Sequence, residues 1–381
     1  FLFQSLNQVL HFAPDGKLLS IILPVGISFY TFQLVAYLID VGRGEQTPSR
    51  SFLEFWVFIA FFAQLIPGPI MRARDFLPQI ERTGGIRFNN SDLKYGVYLL
   101  MIGLAKKVIF ADTLAPLVDS RFALGTGIGA MSAWIGAYLF AFQIYFDFSA
   151  YSDMALGIGR LFGYRLTQNF HTPYLSAGPR EFWQRWHVTL STWIRDYLYI
   201  PLGGSRVRVP RQLFNLVLAM TLSGLWHGAA WTFVAWGFYH GAMAVVERLY
   251  RRHIEARLSP RLVKSWTYHA LSVFVFFHLT VIGWVFFRAG SIIQALVMIK
   301  HMVLLKPLGV SRGELIMLAF VACLYAAQVF EWWLREHEVD VHALWRRVFP
   351  APVRALVYTA AVILVMLFMK NKDAAFIYFR F

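Results

Sequence analysis

Nine apolar stretches, with basic residues gathered in the connections between them, run through this chain. They cover Leu18–Ile39, Phe52–Ile70, Tyr95–Leu114, Ala130–Phe148, Leu213–Trp226, Trp231–Val246, Ser272–Phe287, Glu314–Phe330 and Val353–Met369. A helix crosses the hydrocarbon core with about 20 mainly apolar residues. Inside lipid a helix satisfies its own backbone hydrogen bonds, so this pattern drives the chain to an all-α polytopic membrane bundle. We read residues 1–381 as one transmembrane domain. Several stretches are short for a full crossing, and about eight or nine spans are expected, some of them tilted, broken or re-entrant. Pro24, Pro67 and Pro69 are expected to kink or end helices. No internal repeat is visible, so a transporter built from duplicated halves is not indicated.

The charge pattern supports the same class. Only 15% of residues are charged and 58% are hydrophobic, yet the formal net charge is +15. In a soluble protein that excess would suggest nucleic acid. Here the bases sit in the connections: Arg43 and Arg50; Arg72, Arg74, Arg82 and Arg87; Arg206, Arg208 and Arg211; Arg248, Arg251, Arg252, Arg257, Arg261 and Lys264. Such loops are expected on the cytoplasmic side against anionic headgroups, which argues for membrane lipids and against nucleic acid as partners. Two of them do not fit a simple up-and-down count, so some apolar runs are expected not to cross. The single cysteine, Cys323, excludes an intrachain disulfide and a cysteine-based zinc site, and is expected to be a small buried residue. The sequence opens at Phe1 rather than Met, so residues are expected upstream.

One segment is amphipathic. At helical spacing, Phe182, Trp183, Trp186, Leu190, Trp193, Ile194 and Tyr197 fall within an arc of about 120°. Arg180, Glu181, Gln184, Arg185, Arg195 and Asp196 lie outside it. With Pro179 at its start, Arg180–Tyr197 is predicted to be one helix lying in the membrane interface, aromatics in the acyl boundary and arginines toward headgroups. His187 sits at the edge of the apolar stripe. An anchoring helix and a functional one are both open on this evidence.

Histidine at membrane depth is costly and invites a functional reading. His227 lies between Trp226 and Gly228, with Gly224 and two alanines removing bulk nearby, which suits either a substrate or close helix packing. His240 is thirteen residues on, about 220° round a continuous helix; it is not expected to share that site, and is expected to pack or orient something. Histidine suits the base that an acyl transfer needs near the attacking hydroxyl, and the reaction also needs donors for the oxyanion. Asp147 and Asp153 end an apolar helix in a polar, aromatic run, where they are expected to line a cavity or cap helices. The Gly157–Gly163 string misses the dinucleotide-binding spacing by one residue, and there is no Walker A loop, H-E-x-x-H or G-x-S-x-G. No metal site is expected; His337 and His342, with Glu331, Glu336, Glu338 and Asp340, read as a solvated loop.

Three strings carry a resemblance: YFDFSAYSDMALGIGRLFGY (145–164), PYLSAGPREFWQRWHVTLSTWIRDYLYIPLGGSR (173–206) and SGLWHGAAWTFVAWGFYHG (223–241). They resemble the membrane-bound O-acyltransferase family, most nearly its bacterial alginate O-acetyltransferase branch. LPVGISFYTFQ (23–33) and FIYFRF (376–381) fit the same branch. The resemblance implies a multi-helix bundle around a tunnel. It makes His227 the family's active-site histidine and places His187 at the second, upstream polar position. It implies acetyl-CoA as donor from the cytoplasm, no bound cofactor, and an acetyl group passed across a bacterial inner membrane. A periplasmic acetyltransferase partner would deliver it to an exopolysaccharide such as alginate. Trp186, Arg185, Trp193, Arg195, Asp147, Asp153 and Trp226 are the accompanying candidates for binding donor or acceptor, with the arginines facing coenzyme phosphates or headgroups. The same architecture serves teichoic acid, peptidoglycan and cellulose. A transporter or channel for a small acyl or polar solute, and a scaffold for a polysaccharide synthase, are the rival readings.

Overall fold

The computed structural model describes residues 26–65, 68–81, 89–306, 309–337 and 341–369, without the side chains of 341–343 and 346. The start of the first apolar stretch, Pro24, Pro67, Arg82, Arg87, Glu338, Asp340 and the 376–381 string lie outside these residues. Among the described residues the regular structure is helical, with no strand.

In chain order the helices are α1 (Ile27–Gly42), α2 (Phe52–Ala60), α3 (Phe62–Leu65), α4 (Ala73–Glu81), α5 (Asn90–Ala105), α6 (Asp112–Phe122), α7 (Ala130–Leu161), α8 (Pro179–Arg185), α9 (Val188–Ile194), α10 (Val209–His227) and α11 (Trp231–His253). They are followed by α12 (Pro260–Val263), α13 (Trp266–Arg288), α14 (Ile292–Leu304), α15 (Arg312–Glu336), α16 (Val341–Val348) and α17 (Ala351–Phe368). Local chemistry starts many of them. Ser51, Asn89, Ser265 and Ser291 accept N–H bonds from the first turn of their helices, and Ser311 with Glu314 forms a reciprocal capping box on α15. Proline opens α8, α10, α12 and α17, where its missing N–H costs nothing.

Helix α7 is the axis of the fold. Nearly all its residues from Ala133 to Ala150 are buried, and it touches α5, α6, α13, α14 and α15. A helix apolar around its whole circumference can only be buried in this way. α10 and α11 form the other framework element, an antiparallel hairpin. At Gly224 a Cβ would lie 2.2 Å from the carbonyl oxygen of Phe233, and at Gly237 one would lie 2.4 Å from that of Met220. Glycine on both sides therefore lets the two backbones touch.

Among the described residues three helices, α13, α15 and α17, are long and apolar enough to cross a membrane. Half of the apolar window of α13 is buried in protein but only 6% of that of α17, which leaves α17 an outward apolar face suited to lipid. The sequence reading needs correcting in several places. The Phe52–Ile70 stretch is broken after Ala60 and again beyond Leu65, where Gly68–Arg72 is not helical. Tyr95–Leu114 belongs to a longer run, α5 and α6 joined through a π-helical turn at Lys106–Ala111. Ala130–Phe148 continues as helix to Leu161, so the polar residues after Phe148 do not end it. α14 is an apolar helix outside the nine stretches. Cys323 is exposed, because it lies off the face on which α15 buries Val321, Leu324 and Gln328.

Candidate functional site

The amphipathic segment is not one helix. α8 ends at Arg185, Trp186 is extended, and His187 takes φ 43° and ψ 54° in the left-handed region before α9 begins. A non-glycine residue there costs roughly 1–3 kcal/mol and persists only where its surroundings dictate it. Here they do. The preceding segment crosses the break and pairs with it: His171 N–H donates to Arg185 O (2.9 Å) and Val188 N–H to Asn169 O (3.1 Å). Asn169, wholly buried, uses Oδ1 to accept from both the backbone N–H (3.2 Å) and the hydroxyl (2.7 Å) of Thr189. The Thr189 oxygen in turn accepts from Ile70 N–H at 3.1 Å.

The break makes a V whose arms lead back to the basic ends of the α10–α11 hairpin. At the start of α8, Arg180 N–H donates to Glu247 near the end of α11. After α9 a π-helical turn, Arg195–Tyr199, packs beside the start of α10, where Asn215 donates to Leu202 O at 2.8 Å. His187 is the apex of the V and His227 the tip of α10. Both imidazoles lie against Trp226, with ring centroids 6.4 Å (His187) and 5.0 Å (His227) away. The sequence separation of the two histidines is closed by two hairpins meeting tip to tip.

The walls are aromatic. His227 also contacts Trp236 at 5.1 Å and Phe287 at 5.3 Å, and His187 meets Phe148 edge-on at 4.6 Å. Trp186 packs on Trp284 at 4.9 Å and Phe182 at 5.7 Å. His187 is wholly buried and His227 is 8% exposed. Among the described residues neither nitrogen of His187 has a hydrogen-bond partner, nor do the indole N–H groups of Trp226 and Trp236. Leaving buried polar atoms unmet costs about 1–3 kcal/mol each, so this concentration of them marks a place meant for a polar guest. Chemically it offers an imidazole for proton transfer and N–H donors for a developing negative charge.

The other candidates are distributed around this centre. Trp193 stacks on Phe32 at 4.0 Å and donates to its carbonyl at 2.9 Å, and Phe32 stacks on Trp226 in turn. Arg185 pairs with Glu181 (2.6 Å) and Arg195 with Asp196 (2.6 Å), both away from the histidines. Asp147 and Asp153 cap nothing, because both lie inside α7. Lys107 binds Asp147 and Asp112 at 2.8 Å each, and Lys106 binds Asp153 at 2.7 Å. The aromatic stripe of the amphipathic segment faces protein: Phe182, Trp186, Leu190, Ile194 and Tyr197 are all buried. The separation of His240 from His227 also fails. The helix breaks after His227, and the returning helix α11 brings Trp236 against both rings, 5.1 Å from His227 and 4.8 Å from His240.

Sequence reasoning missed Asn169, which builds the break, and a polar knot at the base of the V. There Tyr197 donates to buried Asp40 at 2.7 Å, while Arg72 reaches Tyr197 Oη (3.3 Å) and Asp196 (2.7 Å). Only the cost of an aspartate in an apolar helix hinted at Asp40.

Residues 44–288, which contain the whole site apart from Phe32 on α1 and Asp40 of the knot, match the family model described as MBOAT, membrane-bound O-acyltransferase family. The chain is 45% identical over 273 residues to a probable alginate O-acetylase of Azotobacter vinelandii, covering 71% of this chain and 52% of that protein. It is 38% identical over 309 residues to a peptidoglycan O-acetyltransferase of Helicobacter pylori, covering 75% and 58%. It is 28% identical over 284 residues to a teichoic acid D-alanyltransferase of Streptococcus thermophilus, covering 69% and 68%. The chain spans about half the length of the alginate acetylases it matches.

Proposed function

We propose, for a chain that belongs to the membrane-bound O-acyltransferase family, that it is an O-acyltransferase of the bacterial inner membrane. In this reading it passes an acetyl group from cytoplasmic acetyl-CoA toward an exopolysaccharide such as alginate, through a periplasmic acetyltransferase partner. The observation that carries the reading is the meeting of His187 and His227 on Trp226 inside an aromatic wall, with unmet N–H groups around them.

The chemistry follows from that arrangement. His227 takes the proton of an acceptor hydroxyl as its oxygen attacks the thioester carbonyl. His187 and the indole N–H groups donate to the oxyanion of the tetrahedral intermediate, in a site where water exclusion strengthens each bond. On collapse the C–S bond breaks, and the thiolate takes the proton back from the His227 imidazolium. Atoms balance: the acceptor leaves as its ester and coenzyme A as its thiol. Arg180, Arg185 and Arg195 are the candidates for meeting the phosphates of the donor.

A second acceptor class is favoured by a specific observation, the 38% identity to a peptidoglycan O-acetyltransferase. Only the polymer differs, and the same residues act. The test is the acetyl content of secreted polysaccharide and of peptidoglycan from cells carrying wild type or His227→Ala, with membrane protein levels matched. A general base is worth about 10²- to 10⁴-fold, so acetylation of one polymer should fall at least about 100-fold. Full acetylation of both polymers at equal protein would overturn the assignment.

A further inference from the structure

One buried ionisable group in the same region is not used by that chemistry. His240 lies one turn beyond Trp236 on α11, is wholly buried, and has no hydrogen-bond partner for either ring nitrogen among the described residues. A residue needed only to fill an aromatic box would be a phenyl ring, because each unmet imidazole nitrogen costs free energy. The box itself is shaped for the imidazole. Phe182 stacks on it at 5.9 Å, Trp183 meets it edge-on at 5.2 Å, and Trp236 lies tilted at 4.8 Å. From α13 comes Gly283, where an added Cβ would sit 3.1 Å from His240 Nε2. Thr280, three residues earlier on the same face of α13, is buried with its hydroxyl unmet, and so are the indole N–H groups of Trp183 and Trp236.

Trp236 touches both histidines, His240 at 4.8 Å and His227 at 5.1 Å with the rings edge to face. Whatever holds Trp236 therefore sets one wall of the His227 ring. We propose that His240 is a positioning residue for the transfer: with the Thr280 hydroxyl and the neighbouring indole N–H groups it holds ordered water, and this hydrogen-bonded unit fixes Trp236 and hence the plane of the His227 imidazole. Buried waters typically make about three hydrogen bonds to polar groups that lack other partners, and this region supplies them. No bond to substrate forms or breaks at His240. The inference rests on the reading of His227 as the base.

The experiment uses membrane vesicles from cells expressing the full-length protein together with their own acceptor, with radiolabelled acetyl-CoA as probe. Initial rates are measured against donor concentration for wild type, His240→Phe, His240→Asn, His240→Gln and His227→Ala at matched protein. Small misplacements of catalytic groups cost up to about 100-fold, so His240→Phe is expected to lower kcat about 10- to 100-fold with KM within about twofold. One of the two amide variants, which keep a hydrogen-bonding atom, should recover most of the loss. Wild-type kcat in His240→Phe, which preserves the aromatic packing, would overturn the proposal. Should that variant not accumulate, Trp183→Phe removes one N–H and keeps a ring; a lowered kcat there supports the proposal and an unchanged one overturns it. Active His227→Ala would remove the underlying reading and this inference together. Inactive His227→Ala beside unchanged His240→Phe would remove this inference alone.

Discussion

Two groups of polar residues sit inside this apolar protein, and they are treated in opposite ways. Beside α7, three carboxylate–lysine contacts tie Lys106 and Lys107 to Asp153, Asp147 and Asp112, with each lysine also over a tyrosine ring. Where the two hairpins meet, His187, His240, Trp226 and Trp236 hold nitrogens with no hydrogen-bond partner among the described residues. The first group is complete in itself and joins the π-helical turn at Lys106–Ala111 to the central helix. The second is complete only with a guest. Burial alone does not separate structure from function; pairing does.

The comparison breaks most readily at its charged half or at the apex of the V. His187→Phe keeps a ring in the wall and removes both nitrogens; transfer should fall about 10²- to 10³-fold, as when an oxyanion donor is lost, at unchanged membrane protein, measured with labelled donor. Lys107→Met strands two carboxylates, and removing one partner of a buried pair costs about 3–5 kcal/mol. Its expected signature is loss of accumulated protein in a quantitative membrane blot. Adding Asp147→Leu and Asp112→Leu should restore the level and the activity, since neutral replacements of a buried ion cluster are tolerated. Restored protein without activity would show that these charges do more than hold the fold.

A smaller effect is expected at the crossing that builds the break. Asn169→Ala leaves the Thr189 N–H and hydroxyl without their acceptor, costing about 1–3 kcal/mol; the readout is a lower midpoint of thermal unfolding in detergent, with activity reduced in parallel. Smallest is Trp193→Phe, which keeps a stack on Phe32 and loses one bond to its carbonyl. About 1 kcal/mol of stability and less than a threefold change in rate follow if Trp193 supports the site from outside it.

What the sequence made legible divides along a physical line. The helices around Val209–His227, Trp231–His253, Trp266–Arg288, Arg312–Glu336 and Ala351–Phe368 are recoverable because apolar runs, caps and prolines are local signals. The amphipathic stripe named the right buried residues, Phe182, Trp186, Leu190, Ile194 and Tyr197, but gave them the wrong surroundings, protein taking the place expected for lipid. Periodicity reports that a face is covered and not by what. The left-handed turn at His187 was illegible because it is imposed by residues 169–171, a contact made in three dimensions. The lysine partners of Asp147 and Asp153 were hidden for the same reason, lying in a π-helical turn that no pattern announces. His240 was read as packing or orienting something away from His227 on the angle of a continuous helix, and the chain reverses between His227 and Trp231.

The central claim is that the meeting point of His187 and His227 receives the reacting thioester. A structure of the full-length protein with a non-cleavable thioether analogue of acetyl-CoA tests it most directly. The account predicts the analogue's carbonyl beside Trp226, with the His227 imidazole and an N–H donor each about 3 Å from the reacting atoms. An analogue seated elsewhere, with the space around His187 and His227 still closed by Trp226, Trp236 and Phe287, would contradict it.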